Sequence, residues 1–209
     1  TIRIGGAEYV GDRGVQLEGQ SHLLEFHVEA GIPVWKFEIH GIVLEKRLWM
    51  PHHTNTVMVR YRLLEGAERL RLKLMPTAHF RPYDSSVSMP LPRPFHLHVH
   101  DGSVELHSAL PAPVLRMRME GENTAFTVES RILQGLLYRS EKDRGYESSG
   151  ELYTPGYFRG DMMLDKPVTL IASAEPWEVI DALPPDQAET AELERRARLL
   201  TNAHPAVRS

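Results

Sequence analysis

Histidines are the residues whose spacing comes nearest to a chemical site. His96, His98 and His100 alternate with Phe95, Leu97 and Val99. On a β-strand the three imidazoles share one face, with neighbours about 7 Å apart along it. Two ring nitrogens at that separation can reach one metal ion, with His107 or Glu105 as the further ligand. The run follows Met89-Pro90-Leu91-Pro92-Arg93-Pro94, a proline-rich stretch suited to an exposed edge. Solvated histidines opposite an apolar Phe-Leu-Val face need no metal to account for them. No glutamate sits a few residues beyond the second histidine, so the spacing departs from the cupin pattern. His96, His98 and His100 stand as secondary metal candidates, and the expectation is no metal and no cofactor.

Other chemistry is harder to find. His52-His53, between Pro51 and Thr54-Asn55-Thr56, occupies a stretch whose side chains bond the local backbone, which makes it a structural turn. Glu25, Glu38 and Glu45 fall on the polar side of alternating runs and read as solvated surface. Trp35 and Trp49 are either core or sugar-stacking platforms; Trp35 shares its register with Phe37 and Ile39, which favours core. No Ser-centred nucleophile elbow, phosphate-binding glycine loop or HExxH motif is present. Nothing in these residues alone identifies an enzyme.

The elements that must position them have a period of two. Leu24, Phe26 and Val28 alternate with Glu25 and His27, and Trp35, Phe37 and Ile39 with Lys36 and Glu38. Val57, Val59, Tyr61 and Leu63 alternate with Met58, Arg60 and Arg62. Leu70, Leu72 and Leu74 do so with Arg71 and Lys73, and Leu115, Met117 and Met119 with Arg116 and Arg118. Each run offers one apolar and one polar face, the pattern of antiparallel sheets wet on one side. Turn signals such as Ala30-Gly31, His40-Gly41, Glu65-Gly66 and Asp101-Gly102 punctuate the runs. Spacings of roughly 8–12 residues predict an all-β sandwich of about a dozen strands in two large stacked sheets. The sandwich ends at Pro184-Pro185-Asp186. Asp186 and Glu189 then form a capping-box-like start to a helix over 187–203, with Leu193, Ala197 and Leu200 as a thin apolar stripe. That helix packs on the sandwich or links it to a further domain, before a tail from Pro205 to Ser209.

Composition sets the outer bounds. The 209 residues are 42% hydrophobic and 25% charged, with a net charge of -4. Such a balance provides no basic field for nucleic acid or anionic lipid, and no apolar run reaches the roughly 18 residues of a membrane span. Cysteine is absent, which fits a reducing cytoplasm. The chain starts at Thr1 and reads as a piece of something longer.

Three stretches carry a resemblance. Val43-Leu44-Glu45-Lys46-Arg47-Leu48-Trp49-Met50-Pro51-His52, continuing through Asn55-Thr56-Val57 to Arg60-Tyr61-Arg62-Leu63-Leu64-Glu65-Gly66, resembles the N-terminal domain of prokaryotic glycogen debranching enzymes of the amylo-α-1,6-glucosidase type. Leu74-Met75-Pro76 to Phe80-Arg81-Pro82 resembles the segment that follows there. Arg144-Gly145-Tyr146, Thr154-Pro155-Gly156-Tyr157-Phe158 and Ala172-Ser173-Ala174-Glu175-Pro176-Trp177 resemble that family's downstream signatures. Leu24-Glu25-Phe26 and Pro33 to Glu38 fit as well, so the ordered set spans about residues 20–180. The family's Arg-Tyr-His-Gly-like start has no counterpart here. His53 stands where the family tends to carry glycine.

The resemblance implies a galactose-mutarotase-like β-supersandwich over 1–183. It implies a linker helix and tail over 184–209, leading to an (α/α)6-barrel that holds the catalytic carboxylates for α-1,6 branch points. The chain itself would have no catalytic residue. Its partners would be that catalytic domain and, through the whole enzyme, a glycogen-like α-glucan. Arg81, Tyr83 and Asp84, in the loop after Phe80, are the first candidates for sugar contacts, with Trp49 and Tyr157 beside them. A free-standing carbohydrate-binding module and a His-rich metal-binding β-sandwich are the alternative readings.

Overall fold

The computed structural model describes residues 3–11 and 14–202. The side chain of Leu200 and the tail from Pro205 to Ser209, both named above, lie outside the described residues. A small hairpin, β1 (Gly6–Glu8) and β2 (Val15–Leu17), precedes a meander of β3 (Leu23–Glu29), β4 (Ile32–Ile39), β5 (Ile42–Trp49) and β6 (Thr56–Glu65). After β7 (Arg69–Leu74) comes a second meander, β8 (His96–His100), β9 (Ser103–His107) and β10 (Leu115–Glu120). Two long strands, β11 (Glu122–Leu137) and β12 (Ser149–Met163), flank the short α1 (Arg139–Asp143). The described chain closes with β13 (Val168–Ser173), α2 (Trp177–Asp181) and α3 (Pro185–Asn202).

The turn chemistry explains the meanders. Ala30-Gly31, His40-Gly41 and Asp101-Gly102 each form a two-residue loop with both residues at positive φ. That geometry matches the twist of the flanking strands and is why glycine takes the second place in each. The strands then pair antiparallel in one eight-stranded sheet, ordered β3-β4-β5-β6-β13-β10-β9-β8, with β13 joining the two meanders. A second sheet, β11-β12-β7, lies across it. The fold is all-β and antiparallel, as the alternation predicts. The second layer, however, is three strands and not a sheet of matching width; the 16 residues of β11 and 15 of β12 give it length instead.

The main core fills the space between the sheets. Phe37, Leu44, Leu63, Met117 and Met119 from the large sheet meet Phe158 and Met162 from β12. The narrow second layer leaves one end uncovered. Leu24, Phe26 and Val28 on edge strand β3 carry the expected alternation but are 64%, 53% and 59% exposed. The opposite face of the large sheet differs from expectation too. It is covered by α2 and α3, which close a second core around Ile32, Trp49, Met58 and Ile171. Consequently Glu45, read above as solvated, is only 6% exposed. Alternation reports which residues share a face; it cannot report that a helix from the far end of the chain will cover the polar one.

Candidate functional site

A buried polar cluster lies under α3. β6 presents Arg60 away from the inter-sheet core, where α3 buries it to 2% exposure. Its guanidinium lies 5.2 Å from the Trp49 ring centroid, a cation–π approach. Its Nε donates to Thr169 Oγ1 on β13 at 3.2 Å. The terminal nitrogens reach Asp186 at 2.6 Å and pair with Glu189. A second arginine, Arg47 on β5, donates to Glu45 at 2.7 Å and lies 3.6 Å from Glu189. Burial disfavours the Arg47 cation, but hydrogen bonds to Glu45 and Glu29 outweigh it, so its proton is held more tightly than usual.

These contacts revise the reading of the helix start. Helix α3 begins at Pro185, where proline's missing N–H costs nothing. Ala188 N–H donates to the Pro184 carbonyl at 2.9 Å. Asp186 and Glu189, the expected capping pair, instead reach across to Arg60. Farther along, Arg196 donates to the Ala30 carbonyl at 3.3 Å, tying the helix to the β3–β4 turn. A Cβ on Gly31 would collide with that guanidinium. The cluster can fix the register of a helix on a sheet. Each carboxylate that it buries, Glu45 and Glu189, is engaged by arginine.

Elsewhere on the fold, three carboxyls are lowered by cationic neighbours. Hydrogen bonds from Arg71, Arg69 and Asn123 hold Asp161 far below the usual carboxylate range. Hydrogen bonds from Arg139 and Lys36 lower the Glu8 and Glu25 carboxyls from their ordinary value. A general acid for glycosidic cleavage needs the opposite displacement.

The candidate ligand residues do not converge. Arg81, Tyr83 and Asp84 share one exposed loop after Phe80, with Tyr83 fully exposed. The Arg81 guanidinium donates to the Ser85 carbonyl, and Ser85 N–H donates to the Pro82 carbonyl at 3.2 Å, so the loop closes on itself. Trp49 is 1% exposed and belongs to the helix-covered core, with no ring face open to a sugar. Tyr157 follows the opposite orientation from its neighbour Phe158, which points into the inter-sheet core. Its ring lies on the outer side of the second sheet, 3.5 Å beneath the Lys73 ammonium. Trp49 and Tyr157 therefore stand on opposite sides of the sandwich.

The histidines of β8 are exposed. His100 lies 3.1 Å from Asp101, and the His98 ring centroid is 5.2 Å from that of His107. Among the described residues no group of three or more His, Cys, Asp or Glu is placed to hold a metal ion. The His52-His53 turn is closed locally, where Thr54 bonds the Pro51 carbonyl through N–H and hydroxyl, and anchored at long range, where Asn55 donates twice to Glu175, at 2.9 and 3.0 Å. His53 has φ +60°, the left-handed region glycine enters freely, which accounts for the glycine expected there by resemblance.

Residues 1–169 match the family model for the N-terminal part of glycogen debranching enzyme. No curated protein matches the chain. The matched residues include the whole of both meanders and the long hairpin, whereas α2 and α3 follow them.

Proposed function

Because the chain belongs to the family of glycogen debranching enzyme N-terminal domains, we propose that it is the non-catalytic front domain of an amylo-α-1,6-glucosidase. The family match over residues 1–169 is the observation that carries this reading. In it, the glucan-cleaving carboxylates belong to a separate helical barrel, and the sandwich supports that barrel. The clamp of Arg60 on Asp186 and Glu189 supports such a role, since it fixes the exit direction of α3 on the sheet. Arg81 braces its loop through the Ser85 carbonyl and leaves Tyr83 and Asp84 exposed, and in this reading the loop reaches the glucan at the edge of the barrel's cleft. Among the described residues no helix is long and apolar enough to cross a membrane. With no cysteine in the chain, a cytoplasmic site of action fits the reading.

Glucose release from an α-1,6-branched dextrin tests the proposal. The purified chain should release none, and the whole gene product should release it steadily. A gene product ending close to Ser209, or hydrolysis by the chain itself, would overturn the reading.

A further inference from the structure

A groove of about 410 Å³ lies between α2 and the β8–β9–β10 end of the large sheet. It falls within the range of small-molecule sites, on the order of 300–1,000 Å³. Trp177, Glu105, Arg118, Asp181, His98 and His100 line it. We propose that this groove binds a neutral oligosaccharide by stacking a sugar ring on Trp177 and bonding its hydroxyls to the flanking charged and imidazole groups. The identification of that saccharide as an α-glucan rests on the proposed function above.

The groove is built before any ligand arrives. The Trp177 indole N–H donates to Glu105 at 2.8 Å, and Arg116 holds the same carboxylate through its Nε at 2.9 Å. Arg116 also donates to the Glu175 carbonyl at 3.1 Å, just ahead of α2. A rigid strand thus fixes the orientation of the indole. Arg118 is held in turn by Asp181 at 2.5 Å and Glu120 at 2.8 Å, with its guanidinium 5.7 Å from the Trp177 ring centroid. Burial raises the Glu105 carboxyl, but Arg116 and the indole outweigh it, so it remains an ionised acceptor.

The mixture of groups selects the ligand class. Two carboxylates against one arginine disfavour an anion such as phosphate, and no metal-holding group is found here among the described residues. Arg116 and Trp177 bond Glu105 through Oε1, and Arg118 bonds Asp181 through Oδ1, so an apolar ligand would cover the second oxygen of each carboxylate without offering it a donor. A sugar answers both demands, presenting C–H groups to the aromatic ring and hydroxyls that donate and accept around its rim.

Calorimetric titration of the chain with maltoheptaose tests the inference. Trp177→Ala should weaken binding roughly tenfold, the size of one well-formed aromatic contact. The exposed pair His98→Ala/His100→Ala, which disturbs no core contact, should weaken it several-fold. Unchanged affinity in the histidine variant with Trp177→Ala also unchanged would overturn the groove as the site. Absence of heat with wild-type chain at millimolar maltoheptaose would overturn it as well. Neither result alters glucose release by the whole gene product, so the two proposals fail separately.

Discussion

Arg60 shows how much a single buried cation can decide. Its charge is removed from water and balanced by Asp186 and Glu189, which belong to a helix more than 120 residues away in sequence. Removing Arg60 leaves buried Glu189 with only the longer contacts to Arg47 at 3.6 Å and Arg62 at 3.4 Å, at a cost of at most roughly 3–5 kcal/mol. Arg60→Ala should therefore lower the denaturant midpoint sharply. A variant replacing Arg60 with Met and Glu189 with Leu should recover much of the loss, because neither charge then stays buried alone. Equilibrium urea unfolding of both variants measures the difference. The residue types at positions 60 and 189 are visible in the sequence, but their partnership is not. Arg60 falls on the polar side of an alternating strand, where solvent is the expected neighbour.

Helix α3 carries a pH-dependent contribution of its own, because Glu192 pairs with Arg195 and Arg196 on the same helix. Hydrogen bonding from Arg195, opposed by burial and aided by Arg196, holds the Glu192 carboxyl down to about 2, against an ordinary value of 4.5. A folded value below the unfolded one means the contribution is complete above pH 4.5 and is lost as pH falls toward 2. The melting-temperature gap between wild type and Glu192→Gln should be widest at neutral pH and close across that interval. A gap that does not change with pH would contradict it. Element existence was legible in the sequence here: the helix lies where its propensity places it, and the meander turns follow the X-Gly pairs. Its partner surface was not legible. The stripe of Leu193 and Ala197 is too thin to reveal that acidic residues on the same helix seat it on arginines of β5 and β6.

At the scale of the molecule, a wide sheet is held between a narrower sheet and a pair of helices. Period-two alternation finds the sandwich and most of its inner face, since Phe37, Leu63, Met117 and Met119 all lie where it puts them. It overstates burial at β3, because the extent of the opposing layer is set by which strands pair and not by the strand's own residues. The candidate sugar contacts scatter for a related reason. Trp49 and Tyr157 have the chemistry of a platform, but only the topology reveals that they occupy opposite sides of the fold. Trp177, Glu105 and Arg118 come together through pairing of β9 with β10 and the return of the chain into α2, and the sequence, which marks Glu105 and Trp177 only separately, does not show that they meet.

The central claim is that this domain supports catalysis performed elsewhere. Its most direct test is the remainder of the gene product, prepared without residues 1–202 and assayed on α-1,6-branched dextrin with and without the purified chain added. The account predicts that the added chain increases both the rate of glucose release and the half-life of that activity on warming. An identical rate and half-life in the presence of folded chain would contradict it.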